Sequence, residues 1–191
     1  TPSLTIGKDG LQLNVYYDEQ DSTTGGAGSA NNLGSLKIAK CTNPTCNGNS
    51  PPQGSSPIVS ALDFHIPTLS NWSVGQYPSL TIAPDGNPVI AYYVSVLPGG
   101  GDVAQAFLRI LKCGKPDCSG SGQNAENIIV TAVGGNLSTV DAGQRPSIAI
   151  GVDGLPIVSY YYQDKTASPK DNRLAAFKCG SDTCINSWTR K

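Results

Sequence analysis

Apolar residues along this chain alternate with small or polar ones in short runs, and the runs recur. Pro2-Ser3-Leu4-Thr5-Ile6, Pro78-Ser79-Leu80-Thr81-Ile82 and Pro146-Ser147-Ile148-Ala149-Ile150 set branched apolar side chains at every second position, the period of a strand with one buried face. An Asp-Gly follows each run, at Asp9-Gly10, Asp85-Gly86 and Asp153-Gly154, and suits a tight hairpin turn that needs positive φ. A second strand is predicted over 11–18, 89–96 and 156–163, where Val, Ile and doubled tyrosines fit a pleated surface. A third, over 36–40, 107–112 and 174–178, runs into Lys-Cys each time. A fourth is weaker, over 57–64 and 127–133, with only a beginning over 187–191. No stretch carries a helical period.

The prolines at 2, 78 and 146 set a period of roughly seventy residues. The repeats are drawn at 1–74, 75–142 and 143–191, in one all-β domain, with the last strand of the third incomplete. Four short antiparallel strands per repeat is the content of a β-propeller blade. The expected fold is therefore three four-stranded antiparallel propeller-type blades. A ring normally needs four to eight, so the array is expected to be open or completed by another copy. Gly75-Gln76-Tyr77-Pro78 and Gly143-Gln144-Arg145-Pro146 precede the second and third repeats, while the first begins at Thr1-Pro2. The chain thus reads as a window on a longer periodic pattern, or as a protomer whose open ends a second copy completes. With no Met in the chain, Thr1 is not expected to be a translation start, and a segment upstream of it is expected.

The repeated pattern, Pro-Ser-Ile-Ala-Ile-x-x-Asp-Gly-Leu-Pro-x-x-Ser-Tyr-Tyr followed by Lys-Cys-x4-Cys, resembles the tandem repeats of secreted bacterial propeller-like proteins, and is distantly similar to sialidase-type blades. The resemblance covers nearly the whole chain. It implies a propeller-like fold but says little about activity, because one fold hosts many functions. Sialidase-type propellers use acids, a tyrosine and an arginine cluster. Here Asp18 matches the Tyr-Tyr-Asp of the pattern, but Val94 and Tyr162 occupy the equivalent positions. Arg109, Arg145, Arg173 and Arg190 share no repeat position, and the Ser-x-Asp-x-Gly-x-x-Trp turn of sialidase blades is absent. On these residues the chain is expected not to be an enzyme.

The six cysteines fall into three equivalent pairs, Cys41 with Cys46, Cys113 with Cys118 and Cys179 with Cys184. Local disulfides are the expectation, and they imply an oxidising, extracellular or cell-surface location. A thiolate metal site is the rival reading; it needs a second pair nearby, and no His accompanies any of them. The chain carries 13 basic and 14 acidic residues without a run of like charge, so nothing supplies the basic footprint of a nucleic-acid binder. Its apolar stretches are far shorter than the roughly 20 residues that span a bilayer. No membrane span and no nucleic-acid partner are expected, and no pattern demands a cofactor or a metal.

Candidate chemistry is sparse. His65 is the sole histidine, and without a defined partner it reads as a strand-end residue. Asp9, Asp85 and Asp153 repeat, and their place before Gly suits side chains bonded to their own turn backbone. Tyr17, Tyr93 and Tyr161 are candidates for stacking on a sugar ring, with packing between blades as the alternative. Asn71 and Asn136 begin N-glycosylation acceptor triplets.

Low charge, many small polar residues and a disulfide in each repeat lead to the expectation of a non-enzymatic, secreted structural protein. Exposed strand edges are pairing templates, so it is expected to self-associate with copies of itself into an extracellular multimer or filament. A carbohydrate-binding propeller, a lectin or adhesin that takes glycans as partners, is the first alternative. A fragment of a larger secreted sialidase-like glycosidase is the second.

Overall fold

The computed structural model describes residues 2–19, 34–47, 57–63, 71–97, 104–119, 127–184 and 188–190. The first sheet holds β1 (Ser3–Ile6), β2 (Gln12–Asp18), β3 (Ser35–Lys40) and β4 (Ile58–Asp63), hydrogen-bonded in that order. The second holds β5 (Asn71–Ile82), β6 (Pro88–Leu97), β7 (Gln105–Lys112) and β8 (Ile128–Asn136). The third holds β9 (Val140–Ile150), β10 (Pro156–Asp164), β11 (Asp171–Cys179) and β12 (Trp188–Arg190). All neighbours are antiparallel, and there is no helix among the described residues. Each sheet is a propeller-type blade, and the three stand as an open array. His65 and most of the 19–34 connection lie outside the described residues.

The repeated turn residues account for the inner hairpins. Gly10, Gly86 and Gly154 take φ of 76°, 92° and 78°, a region open to glycine at no steric cost. The acid before each glycine accepts a backbone N–H two residues on, Asp9 from Leu11 at 3.0 Å, Asp85 from Asn87 at 2.9 Å and Asp153 from Leu155 at 3.2 Å. The second oxygen of each acid takes the lysine of Lys-Cys. Lys40 meets Asp9 at 2.5 Å, Lys112 meets Asp85 at 2.7 Å, and Lys178 meets Asp153. The repeated Asp and the repeated Lys are thus two ends of one tie between a hairpin turn and the third strand of the same blade.

The inner strands β5 and β9 are longer than the alternation predicts. They begin before Gly-Gln-x-Pro and pass through it with register shifts, Val74 to Gln76 and Gln76 to Ser79 against β6, and on either side of Tyr161 against β10. The repeat boundaries drawn at 75 and 143 therefore fall inside β5 and β9. A bulge of this kind bends the strand and re-aims side chains.

Blades pack face on face, and the inner strand makes the contact: β5 lies against β1, β2 and β3, and β9 against β5, β6, β7 and β8. Leu13, Val15, Leu36, Ile38 and Leu62 on the front of the first blade meet Val74, Leu80, Ile90, Tyr92 and Val94 from the second. Val89, Ala91, Leu108, Ile110 and Val133 on the front of the second meet Ala142, Ile148, Val158, Tyr160 and Phe177 from the third. Full burial of a side chain such as Leu36 or Leu108 stabilises the fold by about 1.5–3 kcal/mol. Disulfides join Cys41 to Cys46, Cys113 to Cys118 and Cys179 to Cys184 across Cα separations of 4.9, 5.1 and 4.8 Å, each closing a turn at the end of a third strand. No helix of the described residues is long and apolar enough to cross a membrane.

Candidate functional site: the inner-strand bulges

Gly75 and Gly143 open the bulges with φ of 98° and 102°. A Cβ on Gly75 would stand 2.6 Å from Leu36 Cβ, and one on Gly143 2.6 Å from Leu108 Cβ. Both the backbone conformation and the close approach require glycine. Two residues on, Tyr77 and Arg145 take φ of 52° and 49°, a left-handed conformation that costs a side-chain-bearing residue roughly 1–3 kcal/mol and persists only where its surroundings over-determine it. Here a buried glycine contact stands on one side and a buried proline on the other.

The two strained residues are the ones that face out. Tyr77 is 36% exposed, and Arg145 is exposed beside it, its guanidinium carbon 5.9 Å from the Tyr77 ring centroid. The Tyr93 ring lies 6.4 Å behind Tyr77, tilted by 46°, and is itself only 4% exposed. The arrangement joins an apolar ring face to a fork of N–H donors on two adjacent strands, a rigid support. The groups present are an aromatic face, over which the Arg145 guanidinium lies, and N–H donors suited to hydroxyl or carboxylate oxygens. Sequence reading saw Gly-Gln-x-Pro only as a boundary; its variable third position, Tyr in one repeat and Arg in the next, was the available signal.

Behind the bulge each blade is latched to the next by the second tyrosine of its pair. Tyr17 and Ser73 share a hydroxyl–hydroxyl bond of 2.5 Å, and Gln76 Nε2 donates to Ser73 Oγ at 2.6 Å. In the next blade the Tyr93 hydroxyl donates to Asp141 at 3.0 Å, and Gln144 donates to the other Asp141 oxygen at 2.7 Å. Burial, and then the Asp141 carboxylate, hold the Tyr93 phenol well above its usual range. Tyr161 occupies the equivalent position in the third blade, half-buried, and its hydroxyl has no partner among the described residues.

A second acid lies at the outer side of the first seam. Asp63, 1% exposed, accepts the Tyr92 hydroxyl at 2.6 Å and Arg109 at 2.9 Å. Burial, reinforced by that carboxylate, raises the Tyr92 phenol far above its ordinary value. Asp63 and Asp141 are therefore both committed to bonds between blades. Asp18 pairs with Lys37 at 2.7 Å. Among the described residues no three of His, Cys, Asp and Glu converge as a metal site. The arginines lie apart in role: Arg109 is in the first seam, Arg145 on the bulge, and Arg173 has its guanidinium carbon 4.7 Å from the Tyr162 ring centroid. Asn136 is exposed at the end of β8, where its Oδ1 accepts the Ser138 N–H at 2.9 Å and the Ser138 hydroxyl at 2.6 Å. Asn71 opens β5.

No family model matches the chain, and no curated protein is similar to it by sequence. Among solved structures, an endo-arabinase from Bacteroides thetaiotaomicron is similar over 91% of this chain at 12% identity, with a TM-score of 0.43. The chain spans about half of that enzyme, 54% of its length.

The expectation of a non-enzymatic structural protein that self-associates into a multimer or filament is corrected. The similar chain is an enzyme, an endo-arabinase. Within the chain the repeats associate through buried faces and a glycine-specific strand contact.

Proposed function

We propose that the chain is the glycan-contacting part of a larger, extracellular, propeller-type carbohydrate-active protein, with Tyr77 and Arg145 as its contact residues. The observation that carries this reading is the pairing of an exposed ring and an exposed guanidinium, 5.9 Å apart, on strained backbone at equivalent positions of adjacent inner strands. Strain of this kind in a packed scaffold clusters where a side chain must be aimed. Three disulfides support the extracellular placement.

These blades are assigned recognition rather than hydrolysis. Glycoside cleavage generally needs two carboxyl groups flanking the scissile bond, and Asp63 and Asp141 are each tied to a tyrosine and a second donor within a seam. Release of reducing sugar by the pure chain would overturn that assignment. Binding is tested by calorimetric titration against a panel of neutral and uronic-acid oligosaccharides that includes arabinan fragments. At least one is expected to bind, with Tyr77→Ala and Arg145→Ala each weakening it tenfold or more and Tyr161→Ala leaving it unchanged. An empty panel, or binding that survives Tyr77→Ala, sinks the reading.

A further inference from the structure

The same register positions are buried on the front of two blades and bare on the third. Leu36 and Leu108 are 0% exposed, whereas their equivalent Leu174 is 78% exposed. Leu13 and Val89 are 0% exposed, whereas Ile157 is 39%. In the first two blades the cover is known in detail. It is the inner strand of the next blade, whose glycine lies on the leucine and whose residue two before that glycine accepts or shares the tyrosine hydroxyl bond. Its backbone also donates to the serine that follows the repeat's proline, Leu80 N to Ser3 Oγ at 3.1 Å and Ile148 N to Ser79 Oγ at 3.2 Å. In the third blade Leu174, Tyr161 and Ser147 stand in the same places on β11, β10 and β9, and Ser147 is exposed.

We propose that the front face of the third blade is a docking socket for an inner β-strand of the sequence class Ser/Asp-x-Gly-Gln-x-Pro-Ser, the strand of a further blade. Three features define this occupant more narrowly than an apolar face alone. Leu174 is matched to a glycine in the left-handed region, because any Cβ there would meet the leucine, as at Leu36 and Leu108. The Tyr161 hydroxyl is matched to a hydroxyl or carboxylate two residues before that glycine, the place of Ser73 and Asp141. Ser147 Oγ is matched to the N–H of the residue after the strand's own serine, the place of Leu80 and Ile148. The proposal does not depend on the glycan reading, since Tyr77 and Arg145 take no part in it.

The chain itself supplies the probe. Placing Val-Asp-Ala-Gly-Gln, the sequence of 140–144, ahead of Thr1 completes an inner strand in front of Leu4 and Ile6, which are 61% and 52% exposed. Light scattering and sedimentation are then compared for the chain with and without the graft. The grafted chain is expected to associate head to tail at concentrations at least tenfold lower than the ungrafted one. Leu174→Arg, at an exposed position that leaves the cores intact, reverses this, as does Val for the grafted Gly; Tyr161→Phe weakens it several-fold. Near-ultraviolet circular dichroism of each variant confirms the fold. Equal masses with and without the graft, association of both at the same concentration, or association that survives Leu174→Arg overturns the proposal.

Discussion

At the seam between the first and second blades the Tyr17 hydroxyl meets a serine, Ser73, at 2.5 Å, whereas at the seam between the second and third the equivalent Tyr93 hydroxyl meets the Asp141 carboxylate at 3.0 Å. The apolar part of the two seams does not vary in this way. In both, a glycine sits against a buried leucine at the same separation, 2.6 Å from the position its Cβ would take. Charge is also distributed differently. The first seam buries Asp63 between Tyr92 and Arg109, while the second carries Lys112 to Asp182 at 2.6 Å, with Asp182 58% exposed. The comparison teaches that blade packing needs one steric fit and tolerates several polar ones, because a hydroxyl and a carboxylate both satisfy a buried phenol, whereas nothing but hydrogen fits between the glycine Cα and the leucine.

The largest expected effect tests the invariant part. Gly75→Val and Gly143→Val add a branched side chain where the backbone has positive φ and the neighbour is a buried leucine, so each combines overpacking with backbone strain. Each is expected to destabilise the chain by about 3 kcal/mol or more in urea titrations followed by circular dichroism, and by similar amounts at the two seams. A cost below about 1 kcal/mol at either position would break the equivalence. Next come the charges. Asp63→Ala removes the acceptor of the buried Tyr92 hydroxyl and a partner of the part-buried Arg109 guanidinium, and is expected to cost about 3 kcal/mol, while Asp182→Ala, at an exposed carboxylate whose lysine keeps Asp85, costs about 1 kcal/mol or less. If the two costs are equal, burial does not separate the seams.

The reach of sequence reasoning follows the same division. The alternating runs, Asp-Gly turns and paired cysteines act within a few residues, and they made the blades, the hairpins and the three-sheet architecture legible. The Gly-Gln-x-Pro segment also stood out, but its role depends on Leu36 and Leu108, residues brought to it only by the stacking of blades. Asp63 meets Arg109 across 46 positions, and no local pattern marks that pair. The lysine of Lys-Cys was visible as a repeat while its purpose was not, because its partner lies on the hairpin turn of the first two strands. Tyr77 and Arg145 were hidden for a different reason. They differ from each other, and a search for repeated chemistry passes over the position at which repeats diverge.

The tyrosine latches sharpen the polar half of the comparison at a smaller scale. Tyr93→Phe leaves the buried Asp141 carboxylate short of one donor, a loss of about 1.5–3 kcal/mol for a bond to a charged group. Tyr17→Phe removes a bond to the neutral Ser73, worth about 0.5–1.5 kcal/mol. Thermal unfolding of the two variants under one buffer measures the difference, and a larger cost at Tyr17 would reverse the assignment of the charged latch as the stronger.

The smallest effect concerns pH, and its sign differs between the two partners of one pair. Burial pushes the Asp85 carboxyl up, but hydrogen bonds from Lys112 and the Asn87 N–H outweigh it and hold the group below its ordinary range. A carboxyl depressed in the folded state contributes its full stability above the unfolded value of about 3.9 and loses it as pH falls through the folded value. Burial pushes the Lys112 ammonium down, but its bonds to Asp182 and Asp85 outweigh that and raise it. Its contribution is complete below about 10.4 and is lost as pH rises through the folded value. The first blade holds the matching Lys40–Asp9 tie, with Asp9 lowered chiefly by its hydrogen bond to Lys40, but Pro116 stands where the third blade places Asp182. Lys112 thus bonds acids of two blades, while Lys40 bonds Asp9 of its own blade and reaches Asp117 of the next only through its charge. Lys112→Met is expected to lower the melting temperature at pH 7 more than Lys40→Met, each by less than about 1 kcal/mol of stability. At pH 3 the gap narrows, because acidification weakens the carboxylate bonds to Lys112 and Lys40 alike. Scanning calorimetry of the two variants at both pH values decides it, and a gap that widens at pH 3 would show that Lys112 acts through something other than its carboxylates.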